Sequence, residues 1–150
     1  MTLSQQSLEG SGLGARELER VLGPEVPLLQ LLHEAFVVRE HHFGRRVQVH
    51  VLDNARNARC PEDCGYCSQS AISDAPLEPY EWKRRAEMLE GARAAHAAGA
   101  YRYCIVASGR GPTTKQVSEL AETVRTIKQE LPVQICVSVG LIDEEKALAL

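Results

Sequence analysis

The sequence contains no run of about 18 apolar residues, so it offers no segment that could cross a membrane as a helix. It also has no excess of positive charge, because 17 Lys and Arg stand against 20 Asp and Glu and the formal charge is −3. The basic surface typical of nucleic-acid-binding proteins is therefore missing. The first residues lack the basic and apolar regions of a secretory signal peptide. We therefore expect a cytoplasmic protein with neither a membrane nor a nucleic acid as partner.

An even set of cysteines, as in a disulfide framework, is also absent. The chain has five cysteines, and in the reducing cytoplasm an odd set is better explained by metal binding or chemistry than by disulfides. With 44% apolar and 25% charged residues, the 150-residue chain has the composition of an ordinary globular domain.

The apolar pattern predicts helices that alternate with strands. Residues 1–23 are predicted to be a flexible N-terminal tail in which 13–22 can form one short helix. Helices are predicted at 27–44, from about 79 or 81 to 99, at 113–131 and from 143 onward, with strands at 47–52, 101–107 and 133–139. This order is typical of right-handed β-α-β units around a parallel sheet.

Three strands are fewer than the eight of a closed barrel. We therefore predict an α/β fold in which residues 24–150 form the first part of a TIM-type (β/α) barrel. The sequence stops inside its last predicted helix, so we expect it to be the N-terminal part of a longer protein.

Each predicted strand has one apolar face and one face with polar residues. The polar faces carry His50 on the first strand, Cys104 on the second and Cys136 on the third. A parallel strand buried on both sides is almost continuously apolar, so a repeated polar face predicts a lumen that can hold a ligand. Cys104 and Cys136 are expected to point into that lumen from neighbouring strands.

Three further cysteines, Cys60, Cys64 and Cys67, directly follow the first strand, where α/β proteins place active sites. Their thiolates can hold a soft metal centre, either zinc or an iron–sulfur cluster. Structural zinc needs a fourth ligand, and His50 is the nearest candidate. Three ligands to a cubane cluster leave one iron open to a substrate or cofactor. A non-catalytic zinc or iron–sulfur module therefore remains an alternative to an enzyme.

The spacing Cys-x3-Cys-x-aromatic-Cys resembles the signature of the radical S-adenosylmethionine (radical SAM) superfamily. The longer run CPEDCGYCSQS at 60–70 is similar to the biotin synthase family in particular. Segments 27–35, 103–110 and 135–140 also resemble that family, and the resemblance covers 24–150. It implies a partial TIM-type barrel of the radical SAM kind.

The resemblance also implies the roles of the cysteines. Cys60, Cys64 and Cys67 would bind a 4Fe–4S cluster whose open iron chelates S-adenosylmethionine. Cys104 and Cys136 would be catalytic, as ligands of a second iron–sulfur cluster, expected to be 2Fe–2S, that donates sulfur. The implied residues that bind the cofactor are Tyr66, Ala107, Ser108 and Gly109.

The implied reaction is the insertion of sulfur into dethiobiotin to form biotin, the last step of biotin biosynthesis, by way of a 5′-deoxyadenosyl radical. The expected partners are dethiobiotin, S-adenosylmethionine, flavodoxin or ferredoxin as electron donor, and a second copy of the full-length chain in a homodimer. Later strands of the family supply further ligands, so the 150-residue chain alone is expected to be inactive.

Two alternatives concern the same residues. Another radical SAM enzyme, such as a hydrogenase-maturase-like protein, would share the three-cysteine loop without needing both Cys104 and Cys136. The basic run 83–85 is either a solvated helix face or a patch that docks an acidic electron donor.

Overall fold

A computed structural model of the chain describes residues 2–10, 12–58 and 60–150. Contacts divide the chain into two compact units, Met1–Val47 and Gln48–Leu150. Across the described ranges, no helix is both long enough and apolar enough to span a membrane. The predicted tail at 1–23 and the domain boundary after it stay predictions.

The described part of the first unit is helical. It contains helices α1 (Leu3–Leu8), α2 (Ala15–Leu22) and α3 (Leu28–Phe43). The prediction at 27–44 is confirmed by α3, which ends at Gly44, where a φ of +57° favours glycine. The short helix expected at 13–22 is present as α2. Helix α1 was not predicted, although Thr2 and Gln5 form the capping box that begins it.

The described part of the second unit alternates strands and helices. Its elements are β1 (His50–Arg56), α4 (Arg85–Ala97), β2 (Arg102–Ala107), α5 (Thr114–Glu130), β3 (Gln134–Ser138) and α6 (Glu144–Ala149). The three strands are parallel and lie in the order β1-β2-β3. The predicted α/β fold with three parallel strands in an unclosed sheet is therefore confirmed.

Strand β1 lies further along the chain than its prediction at 47–52. Val47 and Val49 are 74% and 52% exposed, and the strand continues through Asp53 and Asn54 to Arg56. Asp and Asn have low strand propensity, so the prediction from the sequence ended the strand too early. Pairing with β2 outweighs that local preference.

Helix α4 begins at Arg85, later than the predicted 79 or 81. The preceding residues lie extended beside β1 instead: Asn57 and Tyr80 form an antiparallel bridge, and the Lys83 N–H donates to the Ala55 carbonyl at 2.7 Å. Because these backbone groups bond to the strand, they are not free to begin a helix.

The core of the second unit lies between one face of the sheet and helices α4 and α5. Its most deeply buried side chains include Tyr103, Ile105, Leu120, Ile127 and Val133. The opposite face of the sheet is open, and on β3 it exposes Gln134, Cys136 and Ser138. The open face is the one that the sequence assigned to a lumen.

Candidate functional site

The cysteine loop, defined here as residues 60–78, follows the carboxyl end of β1. The register of β1 against β2 is irregular between Asn54 and Arg56, a local bulge of the kind often found beside active sites. Within the loop, the Cys67 N–H donates to the Cys64 carbonyl at 3.2 Å. Cys60 is half-buried, whereas Cys64 and Cys67 are exposed, and all three thiols are free.

The donors of the cysteine loop fit an iron–sulfur cluster in their chemistry, because three free thiols are the soft ligands that such clusters use. Their present arrangement is looser. In the ranges 2–10, 12–58 and 60–150, no three His, Cys, Asp or Glu side chains converge closely enough to hold a metal ion. The thiols therefore share one loop without being gathered, so a bound cluster would have to complete their arrangement.

The other two cysteines form a thiol pair whose members already lie side by side in the folded chain. The register of β2 and β3 places Cys104 directly opposite Cys136 on the open face, as the alternation of side chains predicted. Cys104 is half-buried and Cys136 is exposed. Burial raises the pKa of the Cys104 thiol, and the neighbouring Cys136 thiol raises it further. A raised pKa disfavours the thiolate form of Cys104, so a metal bound there would have to displace its proton.

The predicted cofactor-binding residues Ala107, Ser108 and Gly109 lie where β2 ends, beside the start of the cysteine loop. The Ser108 N–H donates to the Arg56 carbonyl at 3.1 Å, and its Oγ donates to the Ala58 carbonyl at 2.5 Å. Tyr66, in contrast, is fully exposed on the loop. Whether these residues bind a cofactor stays a prediction.

An ion pair joins the cysteine loop to the loop after β2, and sequence reasoning missed it. Arg110 Nη1 lies 3.3 Å from Glu62 Oε1, and the Arg110 carbonyl accepts the Leu141 N–H at 2.7 Å. Gly140 allows this close approach, because a Cβ there would lie 2.5 Å from the Arg110 oxygen. The loops that follow all three strands are thereby connected.

A half-buried polar group on the helix side of β1 was also missed. Asp53 Oδ2 accepts a hydrogen bond from Tyr103 OH at 2.6 Å, and Asp53 Oδ1 forms an ion pair with Lys83. Burial and the Asp53 carboxylate raise the pKa of Tyr103 well above its usual range. Burial alone would lower the pKa of Lys83, but Asp53 reverses this and raises it. Extending the predicted strand by one residue would have revealed Asp53 on the buried face.

The structure places His50 at the beginning of β1, whereas the cysteine loop follows the end of that strand. Among the described residues, it brings no three His, Cys, Asp or Glu side chains together to hold a metal ion. A zinc site that combines His50 with the loop stays a prediction.

The basic run 83–85 does not form a free basic patch, because each of its cations has an acidic partner. Lys83 pairs with Asp53, Arg84 with Glu87 at 3.0 Å and Arg85 with Glu122 at 3.5 Å. Only Arg85 lies in α4, so the alternative of a solvated helix face fits just one residue of the three.

A family model described as "Radical SAM superfamily" matches residues 56–150, which include the cysteine loop, the thiol pair and both strands that carry the pair. The chain belongs to the radical SAM superfamily. Membership implies a 4Fe–4S cluster and S-adenosylmethionine as the associated cofactors.

Among individual relatives, curated biotin synthases resemble the chain over almost all of its length. The biotin synthase of Magnetococcus marinus is 45% identical over 149 residues, which cover 99% of this chain and 46% of that protein. The biotin synthase of Bacillus subtilis is 41% identical over 151 residues, which cover 100% and 45%. The predicted resemblance is confirmed, and the chain spans less than half the length of these relatives.

Solved structures of a hydrogenase maturase share the fold. HydG from Carboxydothermus hydrogenoformans, an FeFe-hydrogenase maturase, superposes with a TM-score of 0.69 at 23% identity, covering 97% of this chain and 34% of that one. A second HydG structure gives a TM-score of 0.66 at 17% identity. At such identities the likeness concerns the fold alone. It agrees with the predicted partial (β/α) barrel of the radical SAM kind.

Proposed function

We propose that the chain is part of a biotin synthase-type radical SAM enzyme, a sulfurtransferase that inserts sulfur into dethiobiotin to form biotin. The observation that carries the proposal is the in-register placement of Cys104 and Cys136 on the open sheet face. A radical SAM reaction needs only the three-cysteine loop. A reaction that also donates sulfur needs a second set of thiols, and this pair supplies two of them.

In this proposal Cys60, Cys64 and Cys67 hold the 4Fe–4S cluster. When bound and reduced, the cluster supplies the electron that splits S-adenosylmethionine into methionine and a 5′-deoxyadenosyl radical. The loop is exposed at the carboxyl end of β1, so its thiols are accessible to iron and sulfide. Residues 107–109 border the cofactor, and the hydrogen bonds of Ser108 to Arg56, at the end of β1, and to Ala58 support that position. Tyr66, which is exposed on the same loop, would shield the cluster.

Cys104 and Cys136 hold the second cluster, of the 2Fe–2S type. Strands on both sides fix the backbone of Cys104, so its thiol and that of Cys136 stay side by side without any movement of a loop. The remaining ligands of that cluster and the contacts to dethiobiotin come from outside these residues. The chain alone is accordingly proposed to be inactive in biotin formation.

The partners of the whole enzyme follow from the same proposal. They are flavodoxin or ferredoxin as electron donor and a second copy of the full-length chain. The cytoplasmic location stays a prediction.

A maturase-like radical SAM enzyme is the second candidate, because the HydG structures share the fold. Such an enzyme would use the cysteine loop in the same way. The thiol pair on the sheet favours the first candidate, because a maturase-like reaction has no need of both Cys104 and Cys136.

Anaerobic reconstitution with iron and sulfide tests the proposal. The wild-type chain should take up iron with the broad visible absorption of thiolate-bound clusters. In the full-length enzyme, which supplies the remaining ligands, the Cys104→Ala/Cys136→Ala double variant should keep the iron bound by the cysteine loop but lose the remainder. A colourless protein that binds one zinc ion would contradict both candidates. Iron uptake that is identical in the double variant would favour the maturase-like candidate.

A further inference from the structure

The cysteine loop leaves the sheet at the end of β1 and returns beside it through residues 79–83. Its two ends meet at one antiparallel bridge, in which Asn57 and Tyr80 exchange backbone hydrogen bonds of 3.3 Å each. Bonds of this length are longer than the usual range and therefore weak. The bridge alone is a poor closure for a loop of about twenty residues, since closure entropy grows with loop length.

Side chains reinforce the returning segment. Tyr80 OH donates to the Asn54 carbonyl at 2.7 Å, and Lys83 forms an ion pair with Asp53. Lys83 Nζ also lies 5.6 Å from the centroid of the Tyr80 ring, within the range of a cation–π contact. Lys83 therefore contacts the outgoing strand and the returning segment at once.

The ion pair of Lys83 is better shielded from water than the Arg110–Glu62 ion pair, which also contacts the cysteine loop. The side chains of Lys83 and Asp53 are 29% and 12% exposed, against 70% and 35% for Arg110 and Glu62. Tyr103 OH satisfies the second oxygen of Asp53 at 2.6 Å. When one partner of a shielded ion pair is removed, the other charge is left unpaired and the fold is strongly destabilised. An exposed ion pair, in contrast, contributes little to stability.

We propose that Lys83, acting through Asp53 and Tyr80, is a positioning residue of the cysteine loop. It holds the returning end of the loop against β1, which keeps Cys60, Cys64 and Cys67 within reach of one cluster. The inference deepens the proposed function and rests on it for the identity of the cluster. The contacts that carry it are formed without any metal.

Hydrogen exchange of the metal-free chain tests the proposal directly. In Lys83→Met, peptides that cover 57–80 should exchange faster, while peptides from α5 and β3 keep their protection. The Asp53→Asn/Lys83→Met double variant removes the unpaired charge and leaves Tyr103 an acceptor, so its unfolding temperature should return toward the wild-type value. Its loop should still exchange faster. Lys115→Met, which breaks the exposed pair with Glu119, is the control and should match the wild type.

Iron retention gives the second measurement. After reconstitution with iron and sulfide, both Lys83 variants should lose the iron bound by the loop about tenfold more readily than the wild type, in line with groups that orient metal ligands. If exchange in 57–80 is unchanged, or if exchange rises equally in α5, Lys83 has no positioning role and the inference is wrong. A wild-type chain that binds no iron would end the proposed function, yet the exchange data would still decide the role of Lys83.

Discussion

The three thiols of the cysteine loop and the two thiols of the sheet differ in how far the folded chain has already arranged them. Cys104 and Cys136 lie directly opposite each other on paired strands. Cys64 and Cys67 are exposed on a loop, and the three loop thiols are not gathered around a common point. Strand pairing fixes side chains through a continuous ladder of backbone bonds, whereas a loop held at its ends leaves its interior to be ordered by a ligand. The sheet thus arranges one thiol set in the folded chain, whereas a bound metal would have to arrange the other.

The largest expected effect comes from removing a loop thiol. Cys64→Ala should lower the iron bound by the loop at least about tenfold, because a cubane cluster held by three thiolates loses a ligand that no neighbour replaces. Cys64 is exposed, so the free energy of unfolding of the metal-free chain should change by only about 0.5 kcal/mol or less. Iron analysis and thermal unfolding measure the two quantities. Asp63→Asn, an exposed neighbour in the same loop, is the matched control and should keep its iron.

The sheet should instead be sensitive to changes in its packing. A Cβ at Gly91 would lie 2.5 Å from Tyr103 OH. Gly91→Ala should therefore destabilise the fold by about 1–3 kcal/mol through overpacking, although the same change in an open helix stabilises it by roughly 0.5–1 kcal/mol. Denaturant unfolding measures the difference. A stabilised variant would show that α4 and β2 are not packed together as closely as the structure has them.

The pH dependence of stability should also reveal the buried Tyr103. Its pKa is raised in the folded state, above the usual value of 10.0. Above that value the unfolded chain releases the proton and the folded chain keeps it, so stability falls as pH rises. The slope from this group is about 1.4 kcal/mol per pH unit. Tyr103→Phe should show a flatter profile above pH 10 than the wild type, with parallel profiles near neutrality. Equal slopes in both proteins would contradict the assignment.

A smaller effect concerns the preformed thiol pair. Burial and the Cys136 thiol both raise the pKa of Cys104. Cys136→Ala removes the second cause, so more of Cys104 becomes thiolate at a given pH. Its alkylation at pH 8 should then be faster than in the wild type, because the thiolate is the form that reacts.

The control for that measurement is Ser138→Ala, which is exposed on the same face of β3 but lies opposite Val106. Mass spectrometry of the alkylated peptides gives the rate at Cys104. An equal acceleration in both variants would mean that access, and not the pKa, limits the reaction.

Much of the fold was predictable because local signals agree with it. Helix α3 ends at a glycine with positive φ, and α5 begins at the capping box of Thr113 and Gln116. The alternation on β2 and β3 correctly brought Cys104 and Cys136 to one face. Predictions were wrong where the chain follows a tertiary contact against its local preference, as in β1 and in the extended segment before α4.

The sequence by itself determined the thiol inventory, the order of strands and helices, and the resemblance to the radical SAM superfamily, because spacing and periodicity are properties of neighbouring residues. Only the tertiary structure decided how the cysteine loop is anchored. The ion pair of Asp53 with Lys83 joins residues thirty positions apart, and that of Glu62 with Arg110 joins residues 48 apart. Such contacts depend on the packing of strands and loops, so they leave no periodic signal in the sequence.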